Sequence, residues 1–509
     1  MAQQTYRANV LSKAFPMVSE NFGRSIIVGG QDQYYQSRQL DSSAQNTDQD
    51  LQTGIPQLYY CHNVMPHDQG YQSIGYTQIL APVPGAGDFK ERHILRDSSD
   101  NKRILGIRGN GDFWVNDGTG WVFKQANPVG KAVTTAYISG ITYVFVAGTG
   151  CYKYDFGTNT FGVVALTGLT LANVLGITGS FGYMIAWTKD TVVWSSTVDP
   201  TDFTPSLVTG AGGGGVEGAR GSINCCVAHT LGYVVYTQAN AVVALFSDNA
   251  RYPFRYREIV NSGGVASIDL VTWDANTPSH YVYSTSGVQQ VSTQQTQTVF
   301  PEVTDFISGR FFEDFDDATQ TFVTQILSAG MAKKIAMVCD RYLVFSYGVT
   351  ELTHAIVWDI ALKRYGKLKF THVDIFEYEL IAPGIVEIPR QSFALLRKDG
   401  SVYVIDFALK SLNSNGTAIF GKYQYVRSRL IQMDEVVFEN IIPNNSFSLT
   451  ILPAIDGKNT VNETPNLIDS SGTYRKYGCR SIGTNISLLA QGGWVINTIV
   501  LKFNVHGKR

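Results

Sequence analysis

The sequence has few charged residues and no long apolar run. Asp, Glu, Lys and Arg make up 16% of its 509 residues, and 40 basic residues nearly balance 42 acidic ones, for a formal net charge of −2. This balance provides no global field that would draw the chain onto nucleic acid or an acidic membrane. No run approaches the roughly 20 apolar residues of a membrane-spanning helix, and the N-terminus lacks a secretory apolar stretch. We expect a protein that is made and kept in a cytosol.

Cysteine is also scarce, and its six positions form no CxxC pair: Cys61, Cys151, Cys225, Cys226, Cys339 and Cys479. Metal sites need clustered ligands at fixed spacing, so this scatter predicts buried, reduced thiols and no disulfide framework. The only local concentration of metal-ligand types is Cys61 with His62 and His67, and a structural role is favoured for all three.

Catalytic motifs are missing as well, since the chain contains neither a GxSxG elbow nor an HExxH helix. A GxGxxG match at Gly213, Gly215 and Gly218 precedes a strand-like segment, which favours a flexible or channel-facing loop over a nucleotide site. The segment Asn116 to Trp121 loosely resembles an Asp-box and is interpreted as a hairpin turn. One acidic cluster could supply paired catalytic carboxylates or calcium ligands, and its residues are Glu313, Asp314, Asp316 and Asp317. A solvated surface is the favoured interpretation of this cluster. We predict no enzyme, no cofactor and no metal.

What the sequence does contain is a repeated β pattern from about residue 101 to residue 409. Runs rich in Val, Ile, Tyr, Phe and Thr alternate with Gly, Asn or Asp turns. They fall into seven groups, at residues 103–124, 132–166, 173–196, 223–260, 268–293, 335–370 and 373–409. A spacing of about 35 to 45 residues is close to one propeller blade. The pattern predicts an all-β protein with about six or seven blades; a two-sheet sandwich is the alternative.

The flanks differ from this central region, which we delimit as 101–410. Residues 1–100 include a Gln-rich tract at 29–54 that has too few aliphatic residues for a core and is predicted to be a loop or arm. Alternating runs in 411–509 predict an antiparallel β-sandwich platform that the N-terminal segment joins. The best helix candidate is residues 301–315, where Pro301 precedes apolar residues at helical spacing.

Four stretches resemble the tail nozzle proteins of short-tailed bacteriophages, also described as tail tubular or packaged-DNA stabilisation proteins. They are IPQLYYCHNVMPHDQGYQSIGY at 55–76, VVWSSTVDPTDFTPSLVTGAGGG at 192–214, ANAVVALFSDNARYPFRYREIVNSGGVAS at 239–267, and GGWVINTIVLKFNVHGKR at the end. The resemblance implies a virion tail protein that forms a homohexameric ring beneath the portal and the head-to-tail adaptor. It also implies tail fibres or tailspikes as neighbours, packaged double-stranded DNA in the channel, and assembly in the host cytoplasm.

Within this hypothesis, weakly charged loops narrow the lumen as a gate. The candidates are Gln31, Gln33, Gln36, Gln45, Gln49, Gly212, Gly213, Gly214 and Gly215. Basic residues interleaved with tyrosines are candidates for phosphate or subunit contacts: Arg427, Arg429, Arg475 and Lys476. The alternative function is a carbohydrate-binding or sialidase-like propeller of a receptor-recognising tail component.

Overall fold

The computed structural model of the chain is almost entirely β. It describes residues 3–9, 51–52, 58–67, 70–83, 87–116, 120–247, 252–274, 277–300, 303, 311–316, 321–326, 332–362, 364–377, 393–406, 416–425, 430–439, 448–455, 458–459, 474–483, 485–493, 495–496 and 498–506. In this part of the chain, no helix is long and apolar enough to cross a membrane.

Six strands precede the first blade. They are β1 (Gln3–Asn9), β2 (Leu51–Gln52), β3 (Leu58–His62), β4 (Val64–His67), β5 (Gly70–Ser73) and β6 (Gly75–Leu80). None of them pairs with its neighbour in sequence except β4 with β5. The other four strands pair with strands that come later in the sequence.

Five four-stranded antiparallel blades follow in sequence order. The first blade consists of β7 (Phe89–Arg96), β8 (Lys102–Arg108), β9 (Phe113–Asn116) and β10 (Trp121–Gln125). The second consists of β11 (Val133–Ile138), β12 (Ile141–Val146), β13 (Gly150–Asp155) and β14 (Thr160–Val164). The third is β15 (Gly176–Ser180), β16 (Tyr183–Trp187), β17 (Thr191–Trp194), β18 (Gly212–Gly215). The fourth and fifth are β19 (Ile223–His229), β20 (Gly232–Thr237), β21 (Ala241–Phe246), β22 (Phe254–Glu258), then β23 (Val271–Asp274), β24 (Ser279–Ser284), β25 (Gly287–Val291), β26 (Thr296–Thr298). Short 3₁₀ turns occupy Leu171–Asn173 and Ile268–Leu270.

A hairpin of β27 (Phe311–Asp316) and β28 (Thr321–Ile326) separates the fifth blade from the sixth. The sixth blade is β29 (Ala332–Val338), β30 (Tyr342–Gly348), β31 (Leu352–Asp359) and β32 (Arg364–His372). The seventh contributes β33 (Asp374–Glu377), β34 (Phe393–Leu396) and β35 (Val402–Asp406), and takes its fourth strand, β6, from the N-terminal segment. The described residues therefore form seven propeller blades, within the six or seven that the sequence pattern predicted.

The local sequence explains these meanders. Strands with buried alternate residues are joined by tight turns, such as Ser139-Gly140 between β11 and β12, where both residues have positive φ angles of 50° and 79°. That backbone conformation is the primed turn whose twist matches antiparallel strands. Gly106 on β8 permits a close approach, because a Cβ there would lie 2.5 Å from the Phe89 ring. Aromatic rings cover such glycines and replace the missing side chain.

The cores lie between blades. Separate apolar clusters join the first blade to the second, the second to the third, the third to the fourth and fifth, the sixth to the seventh, and the seventh back to the first. Tyr283 of the fifth blade and Phe345 of the sixth pack with ring centroids 5.8 Å apart. Each blade thus buries both faces against its neighbours, as radial packing requires.

The last strands form the predicted sandwich platform. They are β36 (Gly416–Tyr425), β37 (Leu430–Glu439), β38 (Ser448–Ile455), β39 (Lys458–Asn459), β40 (Tyr474–Gly483), β41 (Asn485–Gly492), β42 (Val495–Ile496) and β43 (Thr498–His506). One sheet has the order β1-β43-β37-β40, and the other has β2-β36-β41-β38-β39 with β3 also on β36. Three N-terminal strands therefore complete the C-terminal sandwich.

The predicted helix at 301–315 is wrong for residues 311–315, although Val303, the other described residue of this range, is helical. Phe311, Phe312 and Phe315 lie in β27, which pairs with β28 from Phe311↔Ile326 to Asp316↔Thr321. The helical spacing of four apolar residues was outweighed by a partner strand with alternating β-branched residues, and helix propensity is a weak prior against such tertiary pairing. Glu313, Asp314 and Asp316 of the acidic cluster also belong to β27.

Candidate functional site

The first strands of the seven blades surround the propeller axis. Neighbouring blades are linked near these inner strands by specific hydrogen bonds as well as by apolar packing. The amide of Ile177 on β15 donates to Thr134 Oγ1 on β11 over 2.8 Å. The amide of Met337 on β29 donates to Thr272 Oγ1 on β23, also over 2.8 Å. These bonds fix the angle between adjacent blades.

A network of four charged residues joins the last blades to the first at the axis. Arg92 Nε on β7 lies 2.9 Å from Asp374 Oδ2 on β33, and Lys334 Nζ on β29 lies 3.3 Å from Asp374 Oδ1. Lys334 Nζ also lies 3.4 Å from Asp269 Oδ1 in the 3₁₀ turn before the fifth blade. Because β7, β29 and β33 belong to three different blades, Asp374 binds together the sixth, seventh and first.

Burial makes this network strong. The Asp374 side chain is 2% exposed and those of Arg92 and Lys334 are 14% and 17% exposed, so solvent screens the pairs only weakly. Burial raises the pKa of Asp374, but Arg92 and Lys334 outweigh it and the pKa falls below its ordinary value. Burial likewise lowers the pKa of Lys334, but Asp374 and Asp269 reverse this effect and raise it. Asp374 and Lys334 therefore stay ionised and paired at neutral pH.

The circle of propeller blades is closed by the N-terminal strand β6, which pairs with β35 from Val402↔Leu80 to Asp406↔Gly75. The chain then crosses to the first blade, where the amide of Phe89 donates to Lys398 O over 2.7 Å. Trp121 Nε1 donates to Gly400 O over 2.8 Å from the outer strand of the same blade. Closure therefore combines strand pairing with side-chain bonds on both sides of the seam.

The sixth blade continues into the platform. Beyond β32, its sheet adds β4, β5 and β42, which makes seven strands in one sheet. Asn63 lies at the turn between β3 of the platform and β4, with φ of 51°. Its Oδ1 accepts hydrogen bonds from the Tyr76 hydroxyl over 2.6 Å and from the Lys369 amide over 2.9 Å. A Cβ on Gly416 would lie 2.4 Å from Ser73 Cβ, so the two units meet at van der Waals contact.

The thiols of the described residues are packed into the cores rather than presented to solvent. Burial raises the pKa of Cys61, Cys151 and Cys225 to about 12 in each case. A protonated, buried thiol is a poor nucleophile and a poor metal ligand. Cys226 is also buried and Cys339 is partly buried, and these five cysteines form no disulfide. The described residues contain no group of three or more His, Cys, Asp or Glu side chains placed to hold a metal ion.

The structure places the sequence-derived candidates as follows. Gly212 to Gly215 are not a loop but the outer strand of the third blade, paired from Thr191↔Gly215 to Trp194↔Gly212. Asn116 and Trp121 pair across the β9–β10 hairpin, so that motif is part of a hairpin. Arg475 and Lys476 lie in platform strand β40. The five glutamines, Arg427, Arg429 and Asp317 lie outside the described residues.

The axial network was not among the candidates. Arg92 and Asp374 are separated by 282 positions, and neither belongs to a motif. The available signal was Asp374 in the largely apolar run VDIFEYELI, whereas Arg92 in FKERHILR is one of several charged residues. Such a signal identifies an unusual residue but not the residue with which it forms an ion pair.

Comparison with known proteins found no matching family model and no matching curated protein. Among solved structures, the chain is similar to the β-propeller domain of Cps50 (Swd1) from Myceliophteria thermophila. The two share 9% sequence identity, and the match covers 65% of this chain and 99% of that one, with a TM-score of 0.39. The fold described above rests on the strand pairing within this chain.

Proposed function

We propose that this chain is a structural virion protein of a short-tailed bacteriophage. In this proposal it forms the tail nozzle ring, a homohexamer below the portal and adaptor, that conducts packaged DNA and retains it until ejection. In this proposal the protein catalyses no reaction, and its role is mechanical: it keeps its conformation under the pressure of the packaged DNA. It is assembled in the host cytoplasm and resides in the virion tail.

The observation that carries the proposal is the combination of a closed propeller with a platform built from both ends of the chain. The seven-stranded sheet of the sixth blade joins the two units through main-chain hydrogen bonds. Such a connection transmits force better than a flexible linker, whose ends move independently. A rigid subunit with separate platform and propeller suits a ring in which the platforms make the subunit contacts and the propellers support the wall.

Charge supports the conduit role. The chain carries a formal net charge of −2, with 40 basic residues against 42 acidic ones. An excess of Lys and Arg would bind DNA phosphates tightly and with strong salt dependence, which would slow a sliding duplex. A conduit that must release its DNA benefits from subunits without an excess of positive charge.

The test uses the full chain and the parent virion. We expect size measurement by light scattering to show a ring or a monomer that enters a ring when the adaptor is added. We expect cryo-electron microscopy of the virion to place the chain around the DNA exit path. A glycan array or depolymerase assay that is positive, with a monomer that never joins a tail, would instead support a carbohydrate-directed propeller and refute the proposal.

A gating role for the Gln-rich tract is a separate part of the proposal. Deletion of residues 29–50, which spares the platform strand β2, should yield assembled particles that lose DNA during storage or mild heating. The matched control replaces the same residues with a Gly/Ser sequence of equal length, which preserves their reach but not their side chains. Normal genome retention in the deletion would exclude the tract as a gate and leave the ring assignment intact.

A further inference from the structure

Arg108 is a buried guanidinium at the junction of the first and seventh blades. The residue ends β8, lies opposite Phe89 in the β7–β8 register, and is 1% exposed. Its Cζ lies 4.5 Å from the Phe89 ring centroid and 4.3 Å from that of Trp114. The two aromatic faces stabilise a cation, but they provide no acceptor in the plane of the guanidinium.

Among the described residues, the guanidinium of Arg108 has one hydrogen-bond acceptor, Gly87 O, which lies 3.1 Å from Nη1. No described residue accepts a hydrogen bond from Arg108 Nε or Nη2, or from the indole Nε1 of Trp114. The N–H groups of Nε and Nη2 point in parallel from one edge of an arginine, which is the edge that binds two oxygens of a carboxylate or phosphate. Three buried donors without an acceptor are therefore gathered at one place.

Two buried carboxylates in the described structure, Asp359 and Asp374, have their charge-bearing atoms paired. Asp359, which is fully buried, receives Nε and Nη2 of Arg341 and the amides of Ala361 and Leu362. Asp374 likewise has two cationic partners. Burial lowers the pKa of Arg108, and Asp112 and Asp88 offset this only through space. Leaving a buried charge without hydrogen-bond partners is costly, so the arrangement at Arg108 calls for an acceptor.

We propose that Arg108 and Trp114 form a binding site for a small oxyanion, a phosphate or a carboxylate. Two oxygens of the anion accept from Nε and Nη2 of Arg108, and Trp114 Nε1 supplies a further donor. Trp114 is only partly buried and packs edge-on against Phe123, which is 47% exposed. Movement of the Trp114 ring therefore gives an anion access to the guanidinium. The ligand is either free phosphate or a carboxylate side chain of a neighbouring protein.

The test is thermal unfolding of the full chain in chloride, phosphate and acetate buffers of equal ionic strength. An oxyanion that binds only the folded chain raises its unfolding temperature saturably with concentration. Arg108→Lys should weaken the apparent affinity at least about tenfold, because an ammonium cannot present the parallel pair of donors. Stabilisation by phosphate alone identifies free phosphate as the ligand, whereas stabilisation by acetate alone identifies a carboxylate. The accompanying change in tryptophan fluorescence should disappear in Trp114→Phe.

Two variants separate binding from a purely structural role. Arg108→Met removes the charge while keeping an apolar stem, and it should be as stable as the wild type in chloride but lose the oxyanion effect. Arg103→Met is the matched control on the same strand, since Arg103 already donates to the Tyr154 hydroxyl and Asn159 Oδ1 and should keep that effect. Equal stabilisation of Arg108→Met and wild type, or no saturable effect of either oxyanion on the wild type, would overturn the proposal. None of these results depends on ring formation.

Discussion

Mild acid should destabilise the propeller through two buried histidines. His280 on β24 shares hydrogen bonds with the Tyr236 hydroxyl over 2.8 Å and with Ala228 O over 2.9 Å, and its burial lowers its pKa to about 3. His372, at the end of β32, is bonded to Ser346 Oγ over 2.8 Å, and burial lowers its pKa to about 4. Both imidazoles remain neutral in the folded chain at pH 5.

The magnitude follows from proton uptake by the unfolded chain. An exposed histidine binds a proton below a pH of about 6.5, whereas these two do not until the pH approaches their lowered values. Their full contribution to stability is therefore present above a pH of about 6.5 and is lost as the pH falls from there towards 4 and 3. Each histidine removes about 1.4 kcal/mol per pH unit in that window, or about 2 kcal/mol at pH 5 and about 4 kcal/mol for the pair.

The assay is denaturant unfolding at pH 7.5 and pH 5, with the propeller transition followed by intrinsic fluorescence. His280→Gln and His372→Gln should each reduce the difference between the two pH values by about 2 kcal/mol, whatever their effect on stability at either pH. Tyr233→Phe is the control, because its hydroxyl bonds to that of Tyr256, burial raises the pKa of both phenols, and its loss should act equally at both pH values. If wild-type stability changes by less than about 1 kcal/mol, or if both variants keep the wild-type difference, the assignment of these histidines is wrong.

Three further perturbations test the closure and packing of the fold. Asp374→Asn leaves two cations without their shared partner and should lower the unfolding free energy of the propeller by about 3 to 5 kcal/mol in denaturant titrations. Gly106→Ala forces a Cβ to within 2.5 Å of Phe89 and should cost about 1 to 3 kcal/mol by the same measurement, whereas Gly162→Ala meets open space and should be near neutral. Truncation before Thr498–His506 removes the partner of both β1 and β37 and should abolish the platform transition in calorimetry while retaining that of the propeller.

The sequence predicted the repeated blades well because each blade is encoded locally. Short strands and Gly-containing turns such as Ser139-Gly140 specify a meander without reference to the rest of the chain. What escaped prediction is non-local. The inner strand Phe89–Arg96 and the closing strand Gly75–Leu80 precede the 101 boundary that we set for the propeller, and both join its sheets. The first contains Lys, Glu, Arg and His, so its charges obscured the β pattern, and the second pairs with residues more than 300 positions away.

Candidate sites were harder to predict for the same reason. Gly212 to Gly215 read as a loop because glycine is depleted in strands, yet Thr191–Trp194 recruits them as an edge strand. Arg108 stands in RILGIR, where nothing in the local pattern distinguishes it from a surface arginine at a strand end. Its isolation becomes apparent only once the rings of Phe89 and Trp114 are placed on either side. Whether a buried hydrogen-bond donor lacks an acceptor can be seen only in the folded structure.

The pairing of β1 with β43 constrains the order in which parts of the protein can fold during synthesis. β1 is synthesised long before its partner β43, and β6 likewise is synthesised long before β35. The central blades can form as they are synthesised, while the platform needs β43 and the propeller seam needs β35. Long-range strand pairing is slow and leaves exposed edges during the delay. A chain that stops early therefore has blades but no platform, so incomplete copies are barred from any assembly that depends on it.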